Sequence, residues 1–352
     1  MQDLSSDLQA AVLHAIDRKS PLCIQGDGGK AFYGREAKGR ILNVSGHCGI
    51  LHYEPSELVI SARCGTPLDL IESTLTEQGQ MLGFEPPRFG SQPTLGGVVA
   101  SGLSGPRRPF SGSVRDFVLG CRIINGRSEI LHFGGEAMKN VAGYDLSRLM
   151  AGSLGTLALL LDISLKVVPR PETELTLRQE LSEAEAIEKM NRWMGQALPI
   201  SALAWHQGLC FMRVSGGYHT MSAASRIPGG EVLPTDSGFW NDLRDQKLPF
   251  FQAPGTLWRL SLASATPPIE ISGDWFYEWG GAERWFVSQD PAQSLFASAA
   301  RTGGHATRFR THANRDSIFQ PLSGAALRIQ RRIKTAFDPH GIFNPGRMYS
   351  DW

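Results

Sequence analysis

The chain has 352 residues, 41% of them hydrophobic and 20% charged, which provides for a sizeable core and, at roughly 100–200 residues per domain, about two domains. Lys and Arg total 35 against 34 Asp and Glu, a net charge of +1, which argues against a dedicated nucleic-acid binder carrying a basic excess to neutralise phosphates. No apolar run approaches the roughly 20 residues of a bilayer-spanning helix, and the polar start Met1–Asp7 lacks the layout of a secretory signal. Five cysteines without a C-x-x-C spacing disfavour a disulfide scaffold, a zinc site or an iron–sulfur cluster held by this chain, and suit a reducing, cytoplasmic compartment.

Residues 5–18 put Leu8, Val12, Leu13 and Ile16 on one helical face and predict an amphipathic helix. Leu22–Gln25 reads as a short strand running into Gly26-Asp27-Gly28-Gly29-Lys30. Residues 41–44 and 58–62 are strand-like, and Thr66-Pro67 reads as the N-cap and first position of a helix that stops at Gly79. Small residues cluster again at Thr94-Leu95-Gly96-Gly97, Ala100-Ser101-Gly102 and Gly112. Residues 117–124 and 127–133 predict a hairpin turning at Asn125-Gly126. A short helical turn is expected at 145–150, then Gly152-Ser153-Leu154-Gly155-Thr156 opens an apolar run ending at Val168.

Pro169-Arg170-Pro171 marks a domain boundary, because two prolines in three residues cannot continue a central strand. Beyond it Ser182 and Glu185 form a capping box. Strands are expected at 200–206, 209–214, 257–263, 275–279 and 284–288, and helices near 182–195, 237–246, 291–301 and 322–336. This half reads as an antiparallel sheet with helices on one face, and Trp275, Phe276, Tyr277, Trp279, Trp285 and Phe286 as its core.

Of the 39 glycines, 23 lie in residues 1–170. Tight turns in a strand-rich domain explain some of them; backbone approaching a large ligand, where a Cβ would collide, explains clusters. The loop at 26–30 fits either an ordinary turn or a nest of N–H groups around an anion. It has neither the G-x-G-x-x-G spacing of a dinucleotide fold nor the Gly-Lys-Ser/Thr of a Walker loop. Three small-residue stretches in one domain suit wrapping one extended ligand. Arg107-Arg108, with Arg115 nearby, read equally as anion-steering groups, partner contacts or solvated loop charges.

The ordered set Gly26–Lys30, Thr94–Gly97, Gly112–Asp116, Lys139–Leu146 and Gly152–Leu157, with the tail Phe337-Asp338-Pro339-His340-Gly341-Ile342-Phe343-Asn344-Pro345-Gly346, resembles the FAD-binding domain of the vanillyl-alcohol oxidase, or p-cresol methylhydroxylase (PCMH), flavoprotein superfamily. Gly105–Pro109, Phe133–Glu136, Phe250-Phe251, Pro254–Arg259 and Gly304–Phe309 extend the likeness over almost the whole chain to the FAD-binding E-subunit family of bacterial glycolate oxidases. The resemblance implies an α+β fold: a two-lobed PCMH-type FAD-binding domain at 1–170, a small antiparallel-sheet cap domain at 171–315, and a C-terminal helix and tail at 316–352 packing back on the first domain. It implies FAD contacts from Gln25, Gly26, Asp27, Gly28, Gly29, Lys30, Thr94, Gly96, Gly97, Ala100, Ser101, Gly112, Ser113, Asp116, Gly155 and Leu160.

The loop lacks the histidine through which some relatives attach flavin, so noncovalent FAD is expected. Asp27 departs from the family's pyrophosphate loop by placing a carboxylate beside a diphosphate. The 2-hydroxyacid branch carries Gly-His-x-Gly-Asp-Gly-Asn-x-His in its cap; this chain keeps Gly304, His305, His312 and Asn314, with Arg308 and Arg310 between. His305, Arg308 and His312 are therefore the remaining candidates in a worn-down substrate site, and no metal is expected because no third ligand is present. The resemblance further implies a complex with a second, catalytic FAD subunit and an iron–sulfur subunit, oxidising glycolate to glyoxylate in the cytoplasm or at the inner face of the membrane. The alternatives are a self-sufficient FAD-dependent 2-hydroxyacid dehydrogenase and a structural subunit with a vestigial flavin site.

Overall fold

In a computed structural model, which describes residues 2–135, 145–217, 230–234, 238–289, 292–311 and 317–351, the first apolar stripe folds as α1 (Ser5–Arg18), burying Leu8, Val12 and Ala15. The chain divides into two units, Met1–Leu103 with Ser113–Arg170 and Pro321–Trp352, and Ser104–Gly112 with Pro171–Gln320. Segment Ser104–Gly112 thus leaves the first unit for the second.

In the first unit β1 (Leu22–Gln25) pairs in parallel with β2 (Arg40–Asn43). A five-stranded antiparallel sheet is built from β3 (Ile50–Glu54), β4 (Val59–Arg63), β6 (Val118–Ile124), β7 (Ile130–Gly134) and β8 (Leu159–Lys166), in the order β3-β4-β8-β6-β7. A short pair joins β5 (Gln80–Met81) to β9 (Val168–Pro169). A register shift opposite Arg122 and Ile123, at Leu161, changes the face on which the alternating side chains of β8 fall, and this divides the strand between two cores. Leu159 and Leu161 pack with α1 residues Leu8 and Val12 and with Leu22 and Phe343. Leu160, Ile163 and Leu165 pack with α2 (Leu68–Glu77) and α3 (Leu95–Ser101) through Leu68, Ile71, Leu75, Val98 and Val99.

Two local expectations in this unit differ. Thr66 does not cap α2: Pro67 stands at the N-cap, and the buried Thr66 hydroxyl accepts from Gly49 N at 2.8 Å and lies 3.2 Å from Gly49 O. The connection between β6 and β7 is longer than the expected two-residue turn. The Asn125 side chain closes it by accepting from the amides of Arg127 at 2.9 Å and Glu129 at 3.0 Å, and Ser128 takes the positive φ of 61°. Gly126 is glycine for a different reason: a Cβ there would stand 2.6 Å from Asp338 Cα.

The second unit is an eight-stranded antiparallel sheet of β10 (Thr173–Glu180), β11 (Ile200–His206), β12 (Leu209–Gly216), β13 (Glu231–Leu233), β14 (Thr256–Ser261), β15 (Trp275–Glu278), β16 (Glu283–Ser288) and β17 (His305–Arg310), ordered β13-β10-β12-β11-β15-β16-β14-β17. Its helix α4 (Glu183–Met194) starts at the expected capping box of Ser182 and Glu185. The aromatics Trp275, Phe276, Tyr277, Trp279, Trp285 and Phe286 are buried as expected. Strands β10, β13 and β17 escaped the sequence reading because each carries charged residues at alternate or end positions. Among the described residues no helix is long and apolar enough to cross a membrane.

This sheet also buries charge. Arg284 is fully buried and donates to the carbonyls of Gly281 at 3.1 Å, Pro267 at 2.9 Å and Thr266, with its guanidinium over the Tyr277 ring. Glu278 accepts from Trp285 Nε1 at 2.7 Å. Glu283 is buried 3.6 Å from Arg259 Nε. Burial pushes its carboxyl up to about 7 from an ordinary 4.5, against the opposing pull of Arg259 and Arg108. A raised native pKa means that the folded chain holds a proton the unfolded chain has released. This contribution to stability is full below about pH 4.5 and is lost as pH rises through about 7. The thermal midpoint should fall over that interval by several degrees, at roughly 2–4 °C per kcal/mol for a unit of this size. Glu283→Gln should flatten the fall, which a pH series of melting curves on both proteins checks.

Candidate functional site

Strand β1 ends at Gln25, and the chain then turns tightly. Ala31 N donates to Gly28 O at 2.8 Å, and Gly28 takes a φ of +81°. Among the described residues the amides of Gly26, Asp27, Gly28 and Gly29 donate to no protein acceptor. Four consecutive unused N–H groups in a glycine loop are the makings of an anion nest.

Helix α3 forms a second wall. Its N-cap Thr94 accepts from Gly97 N at 3.3 Å, and Gly96 N donates to Cys64 O at 2.7 Å. A Cβ on Gly96 would lie 2.8 Å from Cys64 Cβ, so this glycine serves packing. A Cβ on Gly97 would meet only Thr94 Oγ1, at 3.3 Å, and this glycine lines a cavity. The third wall is the turn at 152–156, tied to α3 by Gly152 N to Val99 O at 3.0 Å and Leu154 N to Ala100 O at 2.8 Å. The C-terminal tail completes the enclosure. Asn344 Oδ1 accepts from Ile24 N at 2.7 Å, and its Nδ2 donates to Leu154 O at 2.7 Å. Arg347 donates to Lys30 O and Arg35 O, each at 3.0 Å.

The cavity so formed is lined by Gln25, Gly26, Asp27, Gly28, Lys30, Gly97, Ala100 and Ser101, all expected from the sequence, and by Cys23, Ile24, Ala31, Ala37, Leu154, Asn344 and Arg347. Lys30 and Arg347 bring positive charge to it. Asp27 brings a carboxylate whose Oδ2 is buried without a hydrogen-bond partner.

Other expected contact residues stand elsewhere. Gly29 backs onto Gly90, 2.5 Å from where its Cβ would be. Gly155 has a φ of +69° and lies against Asn344, whose Nδ2 is 2.6 Å from its would-be Cβ. Thr94 and Gly96 build the start of α3. Ser113 and Asp116 form a capping box, with Ser113 N and Oγ bonded to Asp116 Oδ2 at 2.8 and 2.7 Å. Leu160 is in the hydrophobic core, and Gly112 belongs to the second unit. The tail residues Asn344 and Arg347 were missed, although the motif Asn344-Pro345-Gly346 was the available signal.

In the second unit His305 and Arg308 stand three residues apart on β17, so their side chains leave opposite faces of the strand. Arg308 is registered with Trp258, while His305 is registered with Ser261. Partial burial and the Arg259 charge lower the His305 pKa. Arg310 donates to Phe251 O at 3.2 Å and Gln246 Oε1 at 2.7 Å. His312 and Asn314 lie outside the described residues, as does most of Lys139–Leu146. Among the described residues no three His, Cys, Asp or Glu side chains converge as a metal site. Arg107 pairs with Glu174, and Arg108 covers the Trp279 ring at 4.2 Å, so both arginines are engaged inside the second unit.

Known proteins bear on this geometry. A family described as "FAD binding domain" matches residues 5–134. The glycolate oxidase subunit GlcE of Escherichia coli (strain K12) is 50% identical over 349 residues, covering 99% of this chain and 98% of that protein. The glycolate oxidase subunit GlcD of Bacillus subtilis (strain 168) is 42% identical over 84 residues, 24% of this chain and 18% of that protein. Among solved structures, an alkyldihydroxyacetonephosphate synthase superposes with a TM-score of 0.65 at 14% identity, over 96% of this chain and 74% of that one, which shows a shared PCMH-type fold. Identity at this level over essentially the full length of both chains places the protein in the family of glycolate oxidase GlcE subunits.

Proposed function

We propose that this chain is the noncovalent FAD-binding subunit of a multi-subunit glycolate oxidase, assembled with a second, catalytic flavoprotein subunit and an iron–sulfur subunit in the cytoplasm or at the inner face of the membrane. The observation that carries the reading is the row of unused amides at Gly26, Asp27 and Gly28, residues that line a cavity together with Lys30 and Arg347. That donor set suits a diphosphate, and the bare walls at Gly97 and Ala100 suit a flat ring or an extended chain. Bound FAD would supply two-electron acceptor chemistry. The chain's own residues bind and orient it: the loop amides and Lys30 meet negative charge, and α3 offers backbone without side chains. His305 and Arg308, on opposite strand faces, do not form a joint acid–base and carboxylate-holding site. Among the described residues the second unit thus brings no base and carboxylate-holding pair together, which suits a chain that holds flavin while a partner performs the substrate step.

One observation favours a structural subunit with a vestigial site instead. The buried Asp27 Oδ2 has no partner, and a carboxylate next to a diphosphate is repulsive.

Two results separate these readings. Gly97→Val should lower FAD occupancy severalfold, by filling the cavity wall. Gly195→Val should not, because Gly195 is exposed in the second unit with only Arg192 O, at 3.5 Å, and Asn191 O, at 3.8 Å, near its would-be Cβ. Equal occupancy in the two folded variants sinks the cavity assignment. In anaerobic mixing with glycolate, the isolated chain's flavin should stay oxidised and the assembled complex should bleach. Rapid bleaching in the isolated chain, abolished by His305→Ala, would establish a self-sufficient dehydrogenase.

A further inference from the structure

The last segment of the chain makes several buried polar contacts around the cavity. Lys334, on the C-terminal helix Gly324–Phe337, is buried. Its Nζ donates to Thr156 O at 2.6 Å, Asp338 Oδ2 at 2.6 Å and Phe343 O at 3.2 Å. An ammonium has three protons, so each finds an acceptor. Asp338 in turn accepts from Ile342 N at 3.1 Å and Phe343 N at 2.9 Å. This fixes residues 338–343 as a bend and delivers the chain to β1, where Leu22 N donates to Ile342 O at 2.7 Å and Asn344 N to Leu22 O at 2.9 Å.

Asn344 then reaches both ways, to Ile24 N and to Leu154 O, from a left-handed φ of 42° that asparagine tolerates better than most side chains. The strand leading into the glycine loop and the turn at 152–156 are tied together by one amide side chain. Gly155 must be glycine because that amide occupies the space of its Cβ. Beyond it, Arg347 donates to Lys30 O at 3.0 Å.

We propose that the C-terminal segment is a retaining latch for the cofactor cavity, in which Asn344 and Lys334 are positioning residues that set the spacing between the glycine loop and the 152–156 turn. The proposal rests on the FAD reading above. Loss of the latch leaves the backbone of the first unit able to fold around its two cores but lets the loops part, so the effect falls on cofactor release. Each buried backbone group stripped of its partner is costly, and two such groups at one cavity should weaken FAD binding by a factor of ten or more.

The test is the FAD dissociation rate and dissociation constant of the full chain, with the flavin absorbance and circular-dichroism spectra, for Asn344→Ala, Asn344→Asp and Lys334→Met. Asn344→Asp keeps the acceptor for Ile24 N but turns a carboxylate oxygen on Leu154 O, so it should also release FAD faster than wild type, and Lys334→Met reads the same latch from a second residue if either variant folds poorly. Arg331→Ala, which removes only an exposed pair with Asp351, should release FAD at the wild-type rate. Amide exchange at Ile24 should speed up in Asn344→Ala and slow when FAD is added to the wild type. Variants that fold and keep the wild-type release rate, spectra and Ile24 exchange overturn the latch while leaving the FAD reading intact. A wild-type chain that binds no FAD overturns both.

Discussion

Backbone polar groups in buried loops must find partners, and that requirement organises the first unit. Three loops converge on one cavity, and loops cannot satisfy one another as strands do. Here the missing partners come from more than 170 residues away in sequence: the amide of Asn344 and the ammonium of Lys334 serve Ile24, Leu154 and Thr156. A charged group is expensive to bury unless each proton is met. Burial pulls the Lys334 pKa down, and the Asp338 carboxylate opposes that pull. The cavity walls are thus held by Asn344, which also lines the cavity, and by Lys334, while Gly26, Gly28, Gly97 and Ala100 keep part of the inner surface free of long side chains.

That division explains two kinds of glycine. Gly96, Gly126 and Gly155 are glycine because protein atoms occupy the space beside them. Gly97 is glycine where a cavity lies beside it. A cluster of small residues in the sequence mixes the two, and only the second kind addresses a ligand. The second unit solves its polar problem differently. Its sheet buries Arg284 on carbonyls and Glu283 beside Arg259, and its pair of candidate side chains on β17 diverges across the strand.

Much of this was legible in the sequence. The helix α1, the capping box of α4 and the alternating strands of the second unit follow from local patterns, although Leu13, expected on the buried stripe of α1, is exposed. The motif order pointed to the flavoprotein family, and eight of the expected contact residues line one cavity. What was not legible was non-local. Nothing local to Thr66 says that its hydroxyl will serve Gly49 instead of capping a helix, and nothing local to Gly155 says that Asn344 lies against it. Strands β10 and β17 carry arginine and glutamate on their ends and edges, which reads as a solvated run until the pairing partners are known. The tail motif was recognised as a likeness, yet its hydrogen bonds, which define the cavity, have no signature in spacing.

The most direct test of the account is the chemical state of flavin in the purified chain. The protein is precipitated with acid, and the supernatant and pellet are assayed separately for flavin and for its identity by chromatography. The purified chain should carry about one FAD, all of it released to the supernatant. A colourless protein that takes up no added FAD, or flavin that stays with the pellet, would contradict it.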